Sequence, residues 1–148
     1  MADKKKKEIR TSMLLRKLFN APDLETFIEV NATELDVPPF YVYLSDLCKA
    51  AGQVPEQVIK QAAIERTYGH QLFNGTRKPS RDKVIQLAFG LGLNLEDTQK
   101  LLQIAQKSLL YPKIKRDAAI LYCLNHHKDV LETQSVLQSL GLSLLGGD

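Results

Sequence analysis

Residues 81–103 recur at a fixed offset of 35, and this internal repeat restricts the fold more than any other feature of the chain. Arg81-Asp82 returns as Arg116-Asp117, Ile85 as Ile120, Thr98-Gln99 as Thr133-Gln134 and Leu102-Gln103 as Leu137-Gln138. Conservative pairs lie between them: Ala88/Cys123, Asn94/Asp129, Leu95/Val130 and Asp97/Glu132. Each copy reads as a helix, a short turn and a second helix. Asn94 or Asp129 caps that second helix, because a short polar side chain can accept from the unpaired N–H groups of a first turn. Helical hairpins bury together faces that neither buries alone, so the second copy is expected to stack beyond the first. Two copies are too few for a solenoid. Chance similarity between two amphipathic hairpins is the competing explanation.

The rest of the chain is helical in pattern too. Helices are expected at about Phe40–Ala51, Pro55–Ala62, Glu65–Phe73, Ser80–Leu91 and Leu95–Gln106, then at Ile114–His127 and Val130–Leu140. Their apolar residues follow the 3.6 period, as in Leu44, Leu47, Cys48 and Ala51, or Val84, Ile85, Leu87, Ala88 and Leu91. Val37 to Val42 is apolar enough for a strand, but Pro38 and Pro39 argue against one. Upstream, Ser12–Phe19 and Asp23–Asn31 form two short helical patterns, closed by Val37-Pro38-Pro39. The tail leucines Leu142, Leu144 and Leu145 either pack onto the last hairpin or dock a partner subunit. The expected class is all-α.

The stretch Ala62 to Arg81 carries the most specific local signal. Ile64 falls in a turn, and Glu65–Phe73 forms a helix. Asn74-Gly75 stops that helix, because Gly takes the left-handed cap conformation at little cost. Pro79-Ser80 opens the next one with a rigid residue and a capping hydroxyl. Thr76, Arg77, Lys78 and Arg81 place donors and cations around that helix start. With Tyr43–Cys48, Val54–Gln61 and Lys83–Leu93, this layout resembles the Cro/phage-repressor (Xre-type) helix-turn-helix family over Phe40 to about Ala105, somewhat under half of the chain.

That resemblance implies a five-helix repressor-like helix-turn-helix domain over 39–106. A basic tail (1–11) and an acidic helical segment (12–38) precede it, and a helical hairpin and tail (107–148) extend it. It further implies a sequence-specific transcriptional regulator that binds double-stranded DNA as a homodimer on palindromic sites, with the helix at about 65–73 in the major groove. Base-facing positions fall on Arg66, Thr67, His70 and Gln71. Their chemistry suits the role: Arg can pair bidentately with guanine and Gln with adenine, and a Thr methyl can meet a thymine methyl. Tyr68, Thr76, Arg77, Lys78 and Arg81 fall at phosphate-contacting positions, which set affinity and register.

Charge is distributed to match. The net charge is only +3, yet Lys60 to Lys83 holds six Lys/Arg against Glu65 and Asp82. Asp23 to Asp36 holds five acids and no base, so DNA would repel it. An acidic apolar helix suits a basic groove on another protein. Several positions depart from the family pattern: Val54 and Pro55 replace a hydroxyl-Gln pair, Ala63 a turn Gly, Glu65 a hydroxyl cap, and Gly69 an aliphatic anchor. These departures leave a second reading open: a protein-interaction adaptor on the same scaffold with weak or no specific DNA binding, its partner engaged through 12–38 or the C-terminal hairpin.

Catalysis is not expected, since the chain has no Gly-rich phosphate loop, no H-E-x-x-H and no C-x-x-C. No cofactor is expected. Cys123, His126 and His127 have a spacing that could bind a metal, but a pair of His at a helix C-terminus also complements the helix dipole. Cys48 and Cys123 fall on apolar faces, where buried reduced thiols are expected. No apolar run reaches membrane-spanning length, and the N-terminus lacks a signal-peptide core; a cytoplasmic protein is the expectation.

Overall fold

The computed structural model describes residues 11–35 and 37–147, with the side chains of Thr11, Thr33 and Glu34 left out. The basic tail expected at the N-terminus thus lies almost wholly outside the described residues. All the regular secondary structure among the described residues is helical. The chain divides into two units, residues 1–37 and 38–148.

The first unit contains α1 (Thr11–Asn20), α2 (Leu24–Val30) and the single turn α3 (Ala32–Leu35). Asp23 caps α2, its carboxylate accepting from Thr26 N–H at 2.7 Å and from the Thr26 hydroxyl at 3.0 Å. These bonds hold the Asp23 carboxyl below its ordinary pKa. The short α3 turn was not legible in the sequence pattern.

The second unit contains α4 (Phe40–Ala50), α5 (Pro55–Gln61), α6 (Arg66–Asn74), α7 (Arg81–Leu91), α8 (Leu95–Ile104), α9 (Lys115–Asn125) and α10 (Val130–Ser139). Each helix lies within two residues of its expected ends. The caps account for the boundaries. Ser80 accepts from Lys83 N–H, and Asn94 accepts from Asp97 N–H. Asp129 and Glu132 form a reciprocal capping box at the start of α10. Gly75 and Gly92 close α6 and α7 in the left-handed region.

One apolar cluster runs through this unit, joining Leu44, Val58 and Leu72 to Ile85, Leu101, Ile120, Leu137 and Leu145. Helix α7 is its centre: Val84 through Ala88 are five consecutive buried residues. Helix α5 lies so close to α6 and α7 that two facing glycines are required. A Cβ on Gly90 would sit 2.7 Å from the Val58 carbonyl oxygen, and one on Gly69 would overlap the Ile59 side chain. Ile59 therefore fills the place that an aliphatic residue at position 69 would take. The tail divides its leucines: Leu145 is buried in the core, Leu142 packs against it, and Leu144 is exposed.

The repeat is structural, not only sequential. Gln99 exchanges two hydrogen bonds with the backbone of Leu110, and Gln134 does the same with Leu145. Thr98 and Thr133 each donate to the carbonyl four residues back at 2.8 Å. Left-handed residues also correspond, Gly92 with His127 and Gln106 with Gly141. The equivalence thus continues past residue 103, through Ser108-Leu109-Leu110 and Ser143-Leu144-Leu145.

Candidate functional site

Helix α6 owes its two faces to the spacing of its residues. Gly69, Leu72 and Phe73 are buried, and Arg66, Thr67, His70 and Gln71 lie together on the opposite, accessible side. The preceding turn needs a left-handed residue, which Ala63 supplies at φ 56°. Gln86, buried on α7, donates to the carbonyls of Ala62 and Ala63 at 3.1 and 3.4 Å, which ties the turn to the core. Glu65 then starts α6 as its cap, accepting from Tyr68 N–H at 2.7 Å. The backbone N–H groups of Tyr68 and Thr67, with the nearby Arg77 charge, hold the Glu65 carboxyl below its usual pKa. Glu65 therefore does the capping work for which a hydroxyl residue would otherwise serve.

A carboxylate of α5 organises the accessible face. Glu56 accepts from Arg66 Nε at 2.8 Å and meets His70 Nε2 at 2.6 Å. The Arg66 and His70 bonds depress the Glu56 pKa, and Glu56 in turn raises that of Arg66. All three groups are well exposed, so the pairing orients side chains more than it stabilises the fold. Gln71 Oε1 accepts from Arg77 Nε at 3.0 Å. The Arg77 guanidinium lies 4.3 Å from the centroid of the Tyr68 ring, and Lys83 Nζ lies 5.3 Å from it. Thr76 bonds Asn74 Oδ1 through both its backbone N–H and its hydroxyl. Lys78 is exposed in the same loop.

Arg81 does not join this group. Its guanidinium turns toward the C-terminal hairpin, where Nη1 and Nη2 donate to Asp117 at 3.1 and 2.9 Å, and Nε and Nη2 donate to the carbonyls of Ser108 and Leu109. With its donors occupied and the side chain three-quarters buried, it holds hairpins together instead of facing solvent anions. The offset that relates it to Arg116 was the sequence signal for this role. Glu56 was missed because a single acid on a helix carries no signal until its partners ten and fourteen residues on are known to face it.

The sulfur and imidazole groups do not converge. Cys48 and Cys123 are buried and free, and the Cys48 thiol is pushed up in pKa by burial while donating to Gln53 O. His126 stacks on Tyr122 with its Nδ1 2.9 Å from the Tyr122 carbonyl. Among the described residues no group of three or more His, Cys, Asp or Glu could hold a metal ion, and no helix is long and apolar enough to cross a membrane. The chain matches no protein-family model, no curated protein and no solved structure.

Proposed function

We propose that the chain is a sequence-specific duplex-DNA-binding regulator, with α5 and α6 as its helix-turn-helix and α6 entering the major groove. The observation that carries this reading is the four-residue face of α6, Arg66, Thr67, His70 and Gln71, beside the cationic loop of Arg77 and Lys78. A major groove about 12 Å wide accepts one helix, and base edges there offer partners to Arg, Gln and the Thr methyl. Thr76, Arg77, Lys78 and Tyr68 are assigned to the backbone phosphates. Selection of bound duplexes from a random pool tests the reading: the native chain should enrich a motif, and Arg66→Ala with Gln71→Ala should lose it. An unchanged motif would refute the readout assignment.

A second reading has its own support. The first unit exposes Phe19, Leu24, Ile28 and Val30 in an acidic context, as a helical adaptor for a basic groove would. Removing residues 1–38 separates the two. Loss of a bound protein partner with DNA binding intact would assign the segment to the adaptor role.

A further inference from the structure

Arg81 and Asp117 form one bidentate pair, and Arg116 and Asp82 form its mirror. Arg116 donates to both carboxylate oxygens of Asp82 at 3.0 and 2.9 Å, and Arg81 to both of Asp117 at 3.1 and 2.9 Å. Each arginine also braces the loop that follows its own copy. Arg81 bonds the carbonyls of Ser108 and Leu109, and Arg116 those of Ser143 and Leu144. Tyr111 N–H donates to Asp117 at 2.9 Å, and Gly146 N–H donates to Asp82 at 3.1 Å. In the ion pairs and in these two amide bonds, a residue of one copy meets a residue of the other, and the equivalent contact runs back. That reciprocity defines an isologous, two-fold interface, the kind two identical subunits form.

We infer that the C-terminal hairpin occupies in cis the place of a second subunit, so that the chain binds one asymmetric half-site as a single copy. The half-site clause rests on the DNA-binding reading; the cis closure rests on the reciprocal pairs alone. A face complementary to a copy of itself would pair between chains if it were free. Here the copy is tethered, at an effective concentration on the order of millimolar, and outcompetes a second chain.

The duplication is also incomplete in a telling way. On α7, Gly90 lies against Val58 and Ala62, and Leu87, Gly90 and Leu91 are all buried. Their counterparts on α9 are Tyr122, Asn125 and His126, all exposed. Gly90 is needed because a Cβ there would sit 2.7 Å from the Val58 carbonyl oxygen, whereas its counterpart Asn125 carries a side chain and is exposed. The second hairpin has the pairing surface of the first and lacks its seat for a recognition element. One chain then offers one recognition helix.

Two measurements on the full chain test this. Sedimentation equilibrium over a wide concentration range should give 16.7 kDa throughout. Duplex selection, followed by the mass of the complex, should give a motif without dyad symmetry carrying one chain. A free dimer overturns the cis closure whatever the DNA result. A palindromic motif with two chains overturns the half-site clause even if the free chain is monomeric. If no motif is enriched, the half-site clause fails together with the regulator reading, and the sedimentation mass still decides the cis closure.

Discussion

Replacing Asp117 with Ala probes the joint between the two hairpins. Asp117 is almost fully buried and accepts three hydrogen bonds, two from Arg81 and one from Tyr111 N–H. Breaking a buried ion pair by removing one partner costs about 3–5 kcal/mol, because the other charge stays behind. Arg81 keeps its two carbonyl acceptors and is 23% exposed, so water relieves part of that loss. The expected cost is about 2–3 kcal/mol. At a urea dependence of about 1–3 kcal/mol per molar, the midpoint should fall by roughly 0.7–3 M. Far-UV circular dichroism reads the transition directly in an all-helical chain. The mirror substitution Asp82→Ala should cost the same to within about 1 kcal/mol, since it removes the same pair of bonds and a backbone donor from Gly146. A loss under about 0.5 kcal/mol for either variant would place it with ordinary surface changes and refute the joint. pH gives an independent check. Burial raises the Asp117 pKa, but the bonds from Arg81 and Tyr111 and the two guanidinium charges outweigh it, and the net shift is downward. A carboxyl with a depressed folded pKa stabilises the fold above its unfolded value, and that contribution is lost as pH falls through the folded value. The gap between native and Asp117→Asn stability should therefore hold at neutral pH and shrink on acidification below the ordinary aspartate range.

Gly90→Ala should destabilise by about 1–3 kcal/mol, the typical cost of overpacking, because the new methyl meets the backbone of Val58 and Ala62; urea unfolding measures it, and a neutral result would show that α5 yields. Arg77→Ala and Lys78→Ala should each lower the slope of log affinity against log salt by about 1 without changing the preferred motif, as read by fluorescence anisotropy on the selected duplex. Glu56→Gln removes the carboxylate that orients Arg66 and His70, so binding to unrelated duplexes should tighten while discrimination falls; a chain that discriminates as before would show that Glu56 has no part in readout.

Helix positions in the second unit were readable because propensity, caps and periodicity agree there: Ser80, Asn94 and Asp129 start helices, and Gly75 and Gly92 end them. The accessible face of α6 was readable for the same reason, since burial of Leu72 and Phe73 leaves only one side for Arg66 and His70. What could not be read was partnership. Arg81 lies in a run of cations and looked like one of them, but its acceptors are Asp117 and two carbonyls more than twenty-five residues away. Gly69 looked like a missing anchor, and only the approach of Ile59 shows what it makes room for. Such facts depend on how helices meet, which local pattern does not encode.

Helix α7 has no fully exposed residue along its length. Its amide Gln86 holds the turn before α6, its Asp82 holds the last hairpin, and Val84 through Ala88 are closed to solvent. Its backbone amides can exchange hydrogen only when neighbours on both sides let go together, so they should be the slowest in the chain and report global unfolding. A ligand or partner that loosens the last hairpin would be felt first as faster exchange in α9 and α10, and would reach the middle of α7 only as far as it lowers global stability.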